Sequence, residues 1–298
     1  LVEYFIGVDI GGTKIKAGII TPNGKVCKAI EEKTNRNHLV RQMLVLIEQL
    51  LNEQENIKGI GVATAGRVDF ASGVIQYATD HLPNWTGVKV KDLIESRFHM
   101  LACVDNDANC AAYGEMKMGS GRSFSSFICI TLGTGVGSGI VINGELYRGK
   151  HGGAGEVGHM TLIPNGRPCN CGRSGCFEQY VSGSALIKDI EDDKQLKEMK
   201  VTPVEVFRLA QENHDSAKKI VNRFIDHLTI GLRSLQNILD VDGLILGGGV
   251  INSSQYWWDP FVEKMNKNSV SPIQIKRAEL KNDAGMIGAA LMVQDYLS

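Results

Sequence analysis

Three thiols and one imidazole stand close together in the second half of the chain: His159, Cys169, Cys171 and Cys176, in a His-x9-Cys-x-Cys-x4-Cys spacing. Donors of these types in this ratio match a tetrahedral zinc ion, and Gly172 and Gly175 permit sharp turns between the ligands. Four protein ligands leave no open coordination position, so the spacing predicts a structural site; a catalytic zinc and chance clustering of cysteines are the competing readings. Glu156 and Glu178 bracket the cluster, where carboxylates can accept hydrogen bonds from sugar hydroxyls. His159 can serve both, ligating metal through one ring nitrogen and meeting a hydroxyl through the other.

A second constellation is Asp105-Asn106-Asp107, at the end of a strand pattern and the start of a helix pattern. Asp107 is a candidate general base toward a hydroxyl, and a helix N-cap is its structural alternative. Asp9-Ile10-Gly11-Gly12-Thr13-Lys14 lies between two strand-like runs. That context separates it from the dinucleotide fingerprint and the P-loop, which both lead into a helix. Gly11 and Gly12 let backbone N–H groups approach phosphate oxygens, Thr13 adds a hydroxyl and Lys14 a charge, and Asp9 can orient a hydrated Mg²⁺. A tight hairpin with a solvated lysine is the plainer account. Thr131-Leu132-Gly133-Thr134-Gly135 repeats the device, and Gly247-Gly248-Gly249 is a third glycine turn after a strand. Three such turns in one chain point to nucleotide phosphates. Phosphoryl transfer depends mainly on positioning and charge stabilisation, so one placed carboxylate with Mg²⁺ would suffice.

The elements that must position these residues are legible from period and punctuation. Tyr4–Val8 and Ile15–Ile20 read as strands around the first turn, Pro22-Asn23-Gly24 as a turn, and Lys25–Ile30 as a third strand. Apolar residues at helical spacing follow from Leu39 to Leu51, then a buried strand over Ile57–Ala63, a helix over Val90–Phe98, a strand over Leu101–Val104 and a helix over Ala108–Met118. This order predicts an α/β layer with a mixed sheet. Phe5–Gly11 then aligns without a gap on Phe127–Gly133, and with a two-residue deletion Ile19–Gly24 falls on Val141–Gly144. The match reads as a duplicated unit, two copies aiming their glycine turns at one ligand across a cleft; chance likeness of glycine hairpins is the alternative. Helices are expected over about 202–213, 216–239 and 284–296, and a strand over Gly243–Leu246.

Length and composition bound the rest. The 298 residues suit two lobes, and 43% apolar content with 7 prolines excludes a disordered chain. A net charge of −1 with scattered signs gives no footprint for nucleic acid or anionic membrane. The opening residues carry Glu3 and Asp9 and no basic start, so no secretory signal is expected. The apolar stretch from Phe124 to Ile142 is interrupted by four glycines and is a poor membrane span. Seven cysteines argue against a disulfide framework, and the expected location is cytoplasmic. Cys27, Cys103, Cys110 and Cys129 are expected to be small buried hydrophobes, and Trp257 and Trp258 to pack in a core.

Taken together, Asp9 to Lys14, Asp105-Asn106-Asp107, Gly155-Glu156-Val157-Gly158-His159 and Cys169-Asn170-Cys171-Gly172 through Gly175-Cys176-Phe177-Glu178 resemble the ROK family of sugar kinases and repressors. The resemblance spans essentially the whole chain. It implies an actin-like (ribonuclease H-like) duplicated α/β fold, with residues 1–120 as the first lobe, a closing helix at 285–298 returning to it, and 121–284 as the second. It further implies ATP as phosphoryl donor with Mg²⁺, a structural Zn²⁺ at His159, Cys169, Cys171 and Cys176, and a homodimer. Asp107 corresponds to the catalytic base; Asn106, Glu156, His159 and Glu178 correspond to sugar ligands. Gly11-Gly12 and Gly133 to Gly135 match the phosphate loops, and Gly247 to Gly249 the adenosine loop. The family's repressors carry a DNA-binding domain ahead of the first strand, and a first strand at Tyr4 leaves no room for one, which sets the expectation of an enzyme. Many family hexokinases have Gly-Pro-Val-Asp where this chain has Gly66-Arg67-Val68-Asp69; the Gly-Arg pair, with Thr79 downstream, is similar to kinases of N-acetylmannosamine. Arg67 either caps a sugar substituent with its planar donors or is a surface arginine in a turn. The expected acceptor is N-acetylmannosamine, with glucose or a β-glucoside as the alternative.

Overall fold

The computed structural model describes residues 2–79, 81–267, 270–271 and 273–297; Leu1, Asp80, Asn268, Ser269, Pro272 and Ser298 lie outside the described residues, and with them the tips of the expected opening run and closing helix. Two compact units divide the chain, one of Leu1–Ser125, Gly139–Gly155 and Ala278–Ser298, the other of Ser126–Ser138 and Glu156–Arg277.

In the first unit β1 (Tyr4–Ile10), β2 (Lys14–Ile20) and β3 (Val26–Lys33) form an antiparallel meander. Next come α1 (Leu39–Glu53), β4 (Ile57–Thr64), a hairpin of β5 (Arg67–Asp69) and β6 (Val74–Tyr77), α2 (Val90–Phe98), β7 (Leu101–Asn106) and α3 (Asp107–Met118). β4 runs parallel to β1 and β7 parallel to β4, so the sheet order is β3-β2-β1-β4-β7. Side-chain alternation gives this sheet two different faces. Ile6, Val8 and Ile10 join Ile60 and Val62 in a core with Met43, Leu46, Ile47 and Leu50 of α1 and Ile94 of α2. Phe5, Gly7 and Asp9 point the other way, toward the closing helix Ala284–Leu297. Phe5 packs there with Met286, Ala290 and Val293, and truncating a fully buried side chain such as Met286 to Ala costs about 2–5 kcal/mol. Glycine permits the close approach: a Cβ at Gly61 would lie 1.9 Å from the Ala289 carbonyl oxygen. Asp9 therefore shares its face with a helix packed backbone to backbone against the strands.

The second sheet repeats the first. β8 (Phe127–Leu132), β9 (Val136–Ile142) and β10 (Glu145–Leu146) are followed, after a run of helices, by β11 (Gly243–Gly247) and β12 (Gln274–Arg277), in the order β10-β9-β8-β11-β12. β11 runs parallel to β8 and to β12, as β4 does to β1 and β7. β2 and β9 begin and end at matching offsets from β1 and β8, so the two-residue deletion falls wholly in the next turn. There Asn143 and Gly144, both with positive φ, make a two-residue hairpin turn in place of the wider Thr21–Lys25 turn. The helices are α4 (Glu178–Val181), α5 (Gly183–Asp192), α6 (Lys194–Glu198), α7 (Pro203–Gln211), α8 (Asp215–Leu239) and α9 (Trp258–Asn266). Thr202 and Glu205 form a capping box that starts α7. Phe207, Phe224, Phe261, Trp257 and Trp258 stack together, the core role expected of the two tryptophans.

One cysteine departs from expectation. Cys103, Cys110 and Cys129 are buried, but Cys27 is exposed, because β3 is an edge strand with little covering either face. No helix among the described residues is long and apolar enough to cross a membrane.

Candidate active site

The first glycine turn, Gly11 to Thr13, joins β1 to β2 and is tied from behind at every carbonyl. The Thr34 hydroxyl donates to Gly11 O at 2.7 Å, the Arg36 guanidinium to Gly12 O at 3.1 and 3.2 Å, and Thr34 N–H to Thr13 O at 3.0 Å. Gly11 N–H closes the turn by donating to Lys14 O at 2.9 Å, so with its carbonyls occupied the turn has the N–H groups of Gly12 and Thr13 to offer, which suits an anion. Lys14 opens β2 and is held by Glu31 at 2.9 Å, so its charge rests on the sheet rather than over the turn. The Asp9 carboxyl is pushed up to about 7, chiefly by burial and then by the neighbouring Asp107, with Lys14 and Lys16 opposing both. A carboxylate so perturbed, with a second carboxylate beside it, favours a cation.

Asp107 is the first residue of α3, and the capping role falls instead on Asn106. The Asn106 side chain accepts from Ala108 N–H at 2.9 Å and Asn109 N–H at 3.2 Å, which corrects the alternative of an Asp107 cap. The reason is conformational: Asn106 has the extended backbone of a cap residue, φ −60° and ψ 145°, and Asp107 is already helical. Asn106 also donates through Nδ2 to Gly66 O at 2.9 Å. Gly66 has φ +109°, and a Cβ there would meet Tyr77 O at 2.5 Å, so the Gly-Arg pair needs its glycine. Arg67 opens β5 exposed, its stem near Gly152 and Gly153. Thr79 lies two residues beyond Tyr77, which pairs with Arg67, and its carbonyl accepts from Leu82 N–H at 2.9 Å.

In the second unit, Gly133 to Gly135 joins β8 to β9, closed by Gly133 N–H donating to Gly135 O at 3.0 Å. Gly183 N–H, at the start of α5, donates to Gly133 O at 2.8 Å, and Val136 N–H donates to Glu178 Oε2 at 2.8 Å. Glu178 thus spends one oxygen on the backbone behind the glycine turn. Thr134 occupies the middle of this turn and supplies a hydroxyl there. Thr131 and Gly247 are register partners in neighbouring parallel strands, so the second and third glycine turns emerge side by side at the strands' carboxyl ends. Gly248 has φ +86° and packs on Leu132, and Gly249 opens the short helical turns that follow.

His159, Cys169, Cys171 and Cys176 converge, their ligand atoms all within 4.8 Å of one another. Cys171 Sγ is 3.5 Å from Cys176 Sγ, and Cys169 Sγ is 3.7 Å from His159 Nδ1. A tetrahedral zinc with bonds of about 2.3 Å sets its corners about 3.8 Å apart, so the donor set fits. His159 Nε2 faces away from the thiols, 4.0 Å from Glu156 Oε2. Isolated bridges between Thr161 and Cys176 and between Pro168 and Ser174 hold the loop, and Gly175, with φ +81°, could not carry a Cβ beside Ile163 O.

Several residues that the sequence reading left aside belong to these networks: Thr34 and Arg36 behind the first turn, Lys16 and Asp283 near Asp9, and Arg148, which pairs with Asp105 at 2.6 Å. Apart from Lys16, which is the register partner of Asp9 on β2, each acts across a long sequence separation and carries no local signal.

The ROK family profile matches residues 5–296, and the chain belongs to that family. A glucokinase of Halalkalibacterium halodurans is 31% identical, covering 98% of this chain and 95% of that protein. A ROK family glucokinase from Streptomyces griseus, solved with glucose and AMPPNP, superposes with a TM-score of 0.86 at 30% identity over 98% of this chain and 99% of that one. A proposed N-acetylmannosamine kinase from Listeria monocytogenes superposes with a TM-score of 0.88 at 26% identity over 99% of this chain and 100% of that one. The duplicated sheet is accordingly the actin-like fold of the ROK sugar kinases.

Proposed function

We propose that this chain is an ATP-dependent sugar kinase that transfers the γ-phosphate of ATP to the 6-hydroxyl of a hexose or N-acylhexosamine. The observation that carries the reading is Asp107 at the head of α3, fixed by the Asn106 cap and electrostatically coupled to Asp9. Asp107 takes the proton of the acceptor hydroxyl as its oxygen attacks phosphorus, and the bond to the ADP oxygen breaks. The glycine turns hold phosphate oxygens through backbone N–H groups. Asp9 is the residue that would hold the hydration shell of a magnesium ion bound with the nucleotide, which would supply positive charge against the charge that develops on the phosphates. Zinc held by His159, Cys169, Cys171 and Cys176 would order the loop carrying Glu156 and Glu178, leaving His159 Nε2 for a sugar hydroxyl.

N-acetylmannosamine is the acceptor favoured by Gly66-Arg67, with Arg67 donating to the N-acetyl oxygen; the likeness to glucokinases supports glucose equally. Measuring ADP release with N-acetylmannosamine, glucose, mannose, N-acetylglucosamine and cellobiose separates these readings. No ADP with any sugar would point instead to a sugar-binding regulator without turnover. Asp107→Asn should lower kcat by about 10²–10⁴-fold while sugar binding persists, and a variant retaining most activity refutes the base assignment.

A further inference from the structure

Beside the proposed base Asp107 lies a charged pair to which the proposed reaction assigns no role, Asp105 with Arg148. Asp105 is only 2% exposed, and it lies near the end of the strand that delivers Asp107. Its Oδ1 accepts from Asn106 N–H at 2.7 Å and from Asn109 Nδ2 at 3.0 Å. Its Oδ2 accepts from Arg148 Nε at 2.6 Å. The Arg148 guanidinium lies 3.8 Å from the ring centroid of Phe70, and its carbonyl accepts from Ala154 N–H at 3.1 Å. Arg148 is thus held at both ends, its head by a ring face and a carboxylate and its backbone by a closed loop.

We propose that Arg148 is a positioning residue for phosphoryl transfer, acting through Asp105 to fix the backbone from which Asp107 projects. Asp105 grips the N–H of Asn106, and Asn106 in turn caps α3 and fastens Gly66 beside Arg67. One ion pair therefore sets both the direction of the base and the anchor of the Gly-Arg turn. A buried carboxylate keeps such a grip only while its other oxygen is compensated. Lysine is a poor substitute, because a point charge can neither stack on Phe70 nor hold the fixed Nε geometry.

The proposal rests on the reading of Asp107 as general base, and the following variants keep the two apart. Arg148→Met is expected to lower kcat about 10–100-fold, the scale of a misplaced catalytic group, with KM for ATP changed less than about 3-fold. Arg148→Lys should fall between. The double variant Asp105→Asn with Arg148→Met leaves no uncompensated charge, and its amide oxygen still accepts from Asn106 N–H, so it should recover part of the lost kcat. Were Arg148→Met alone to lose its fold, the double variant would carry the test. A folded Arg148→Met enzyme with wild-type kcat, or a double variant no better than Arg148→Met, overturns the proposal while Asp107→Asn remains inactive. Activity persisting in Asp107→Asn sinks the parent reading instead.

Discussion

Asp9 should announce its ionisation in the stability of the free protein. Its carboxyl lies on the sheet face against the closing helix, where a Cβ on Gly285 would come within 2.7 Å of Oδ2. Burial is the main reason its pKa rises from 3.8 to about 7, with Asp107 adding to it. The native state therefore holds this proton more tightly than the unfolded chain does. The resulting stability is complete below about pH 4 and is lost as pH rises through about 7. A three-unit shift corresponds to roughly 4 kcal/mol at most; the side chain keeps some solvent contact, so about 1–3 kcal/mol is the expected range. Asp9→Asn removes the charge at nearly constant shape. In buffer without nucleotide or added divalent cations, the variant should melt several degrees above the wild type at pH 8, at roughly 2–4 °C per kcal/mol, and the gap should narrow by roughly half at pH 5 and close below about pH 4. Turnover should be lost at the same time, since the charge that costs stability is the one proposed to hold hydrated Mg²⁺. Melting curves for the two proteins that stay a constant distance apart from pH 5 to 8 would refute the argument.

Other outcomes follow from single contacts. The purified protein should carry about one zinc per chain, and Cys176→Ala should lose the metal and the order of the 159–178 loop together, read by metal analysis and proteolysis; metal-free protein that stays folded and fully active would remove the structural role. Glu178→Ala leaves Val136 N–H without its acceptor and should raise KM for ATP about 5-fold or more, whereas Glu178→Gln keeps an acceptor there and should raise KM chiefly for the sugar. Gly285→Ala forces a Cβ against Asp9 and should cost about 1–3 kcal/mol and lower kcat, despite alanine's better helix propensity; unchanged melting and turnover would show that the helix gives way freely.

The parts of the site that sequence discloses are those whose residues lie close in the chain. Glycine turns, the Asp-Asn-Asp run and the zinc set announce themselves because local geometry demands those types at those spacings. What stays hidden is carried by distant partners. Arg148 and Asp105 are 43 residues apart, Val136 and Glu178 are 42 apart, and Arg36 reaches Gly12 across 24. In sequence Arg148 and Arg36 look like solvated surface charges, and nothing ties Glu178 to Val136. The cap at α3 is ambiguous for another reason, since neighbouring Asn and Asp are equally good caps and only backbone dihedrals separate them. Cys27 misleads because apolar alternation cannot tell an edge strand from a central one.

Duplication explains why the two glycine turns share a backbone, and their side chains explain why they need not share a task. The hairpins align without a gap through both turns, so Asp9, Lys14 and Lys16 of the first fall on Thr131, Val136 and Ser138 of the second. A whole set of charges has a neutral counterpart. An aspartate at Thr131 would set a negative charge beside a turn suited to anions, with no lysine on β9 to offset it. The first copy can keep its carboxylate because Lys14 and Lys16 oppose the cost. The second copy is instead tied by Gly183 and Glu178 to the segment just after the His159, Cys169, Cys171 and Cys176 cluster. One hairpin is therefore built for charge and the other for connection to the loop that carries the His159, Cys169, Cys171 and Cys176 cluster, a division that a glycine count alone would not disclose.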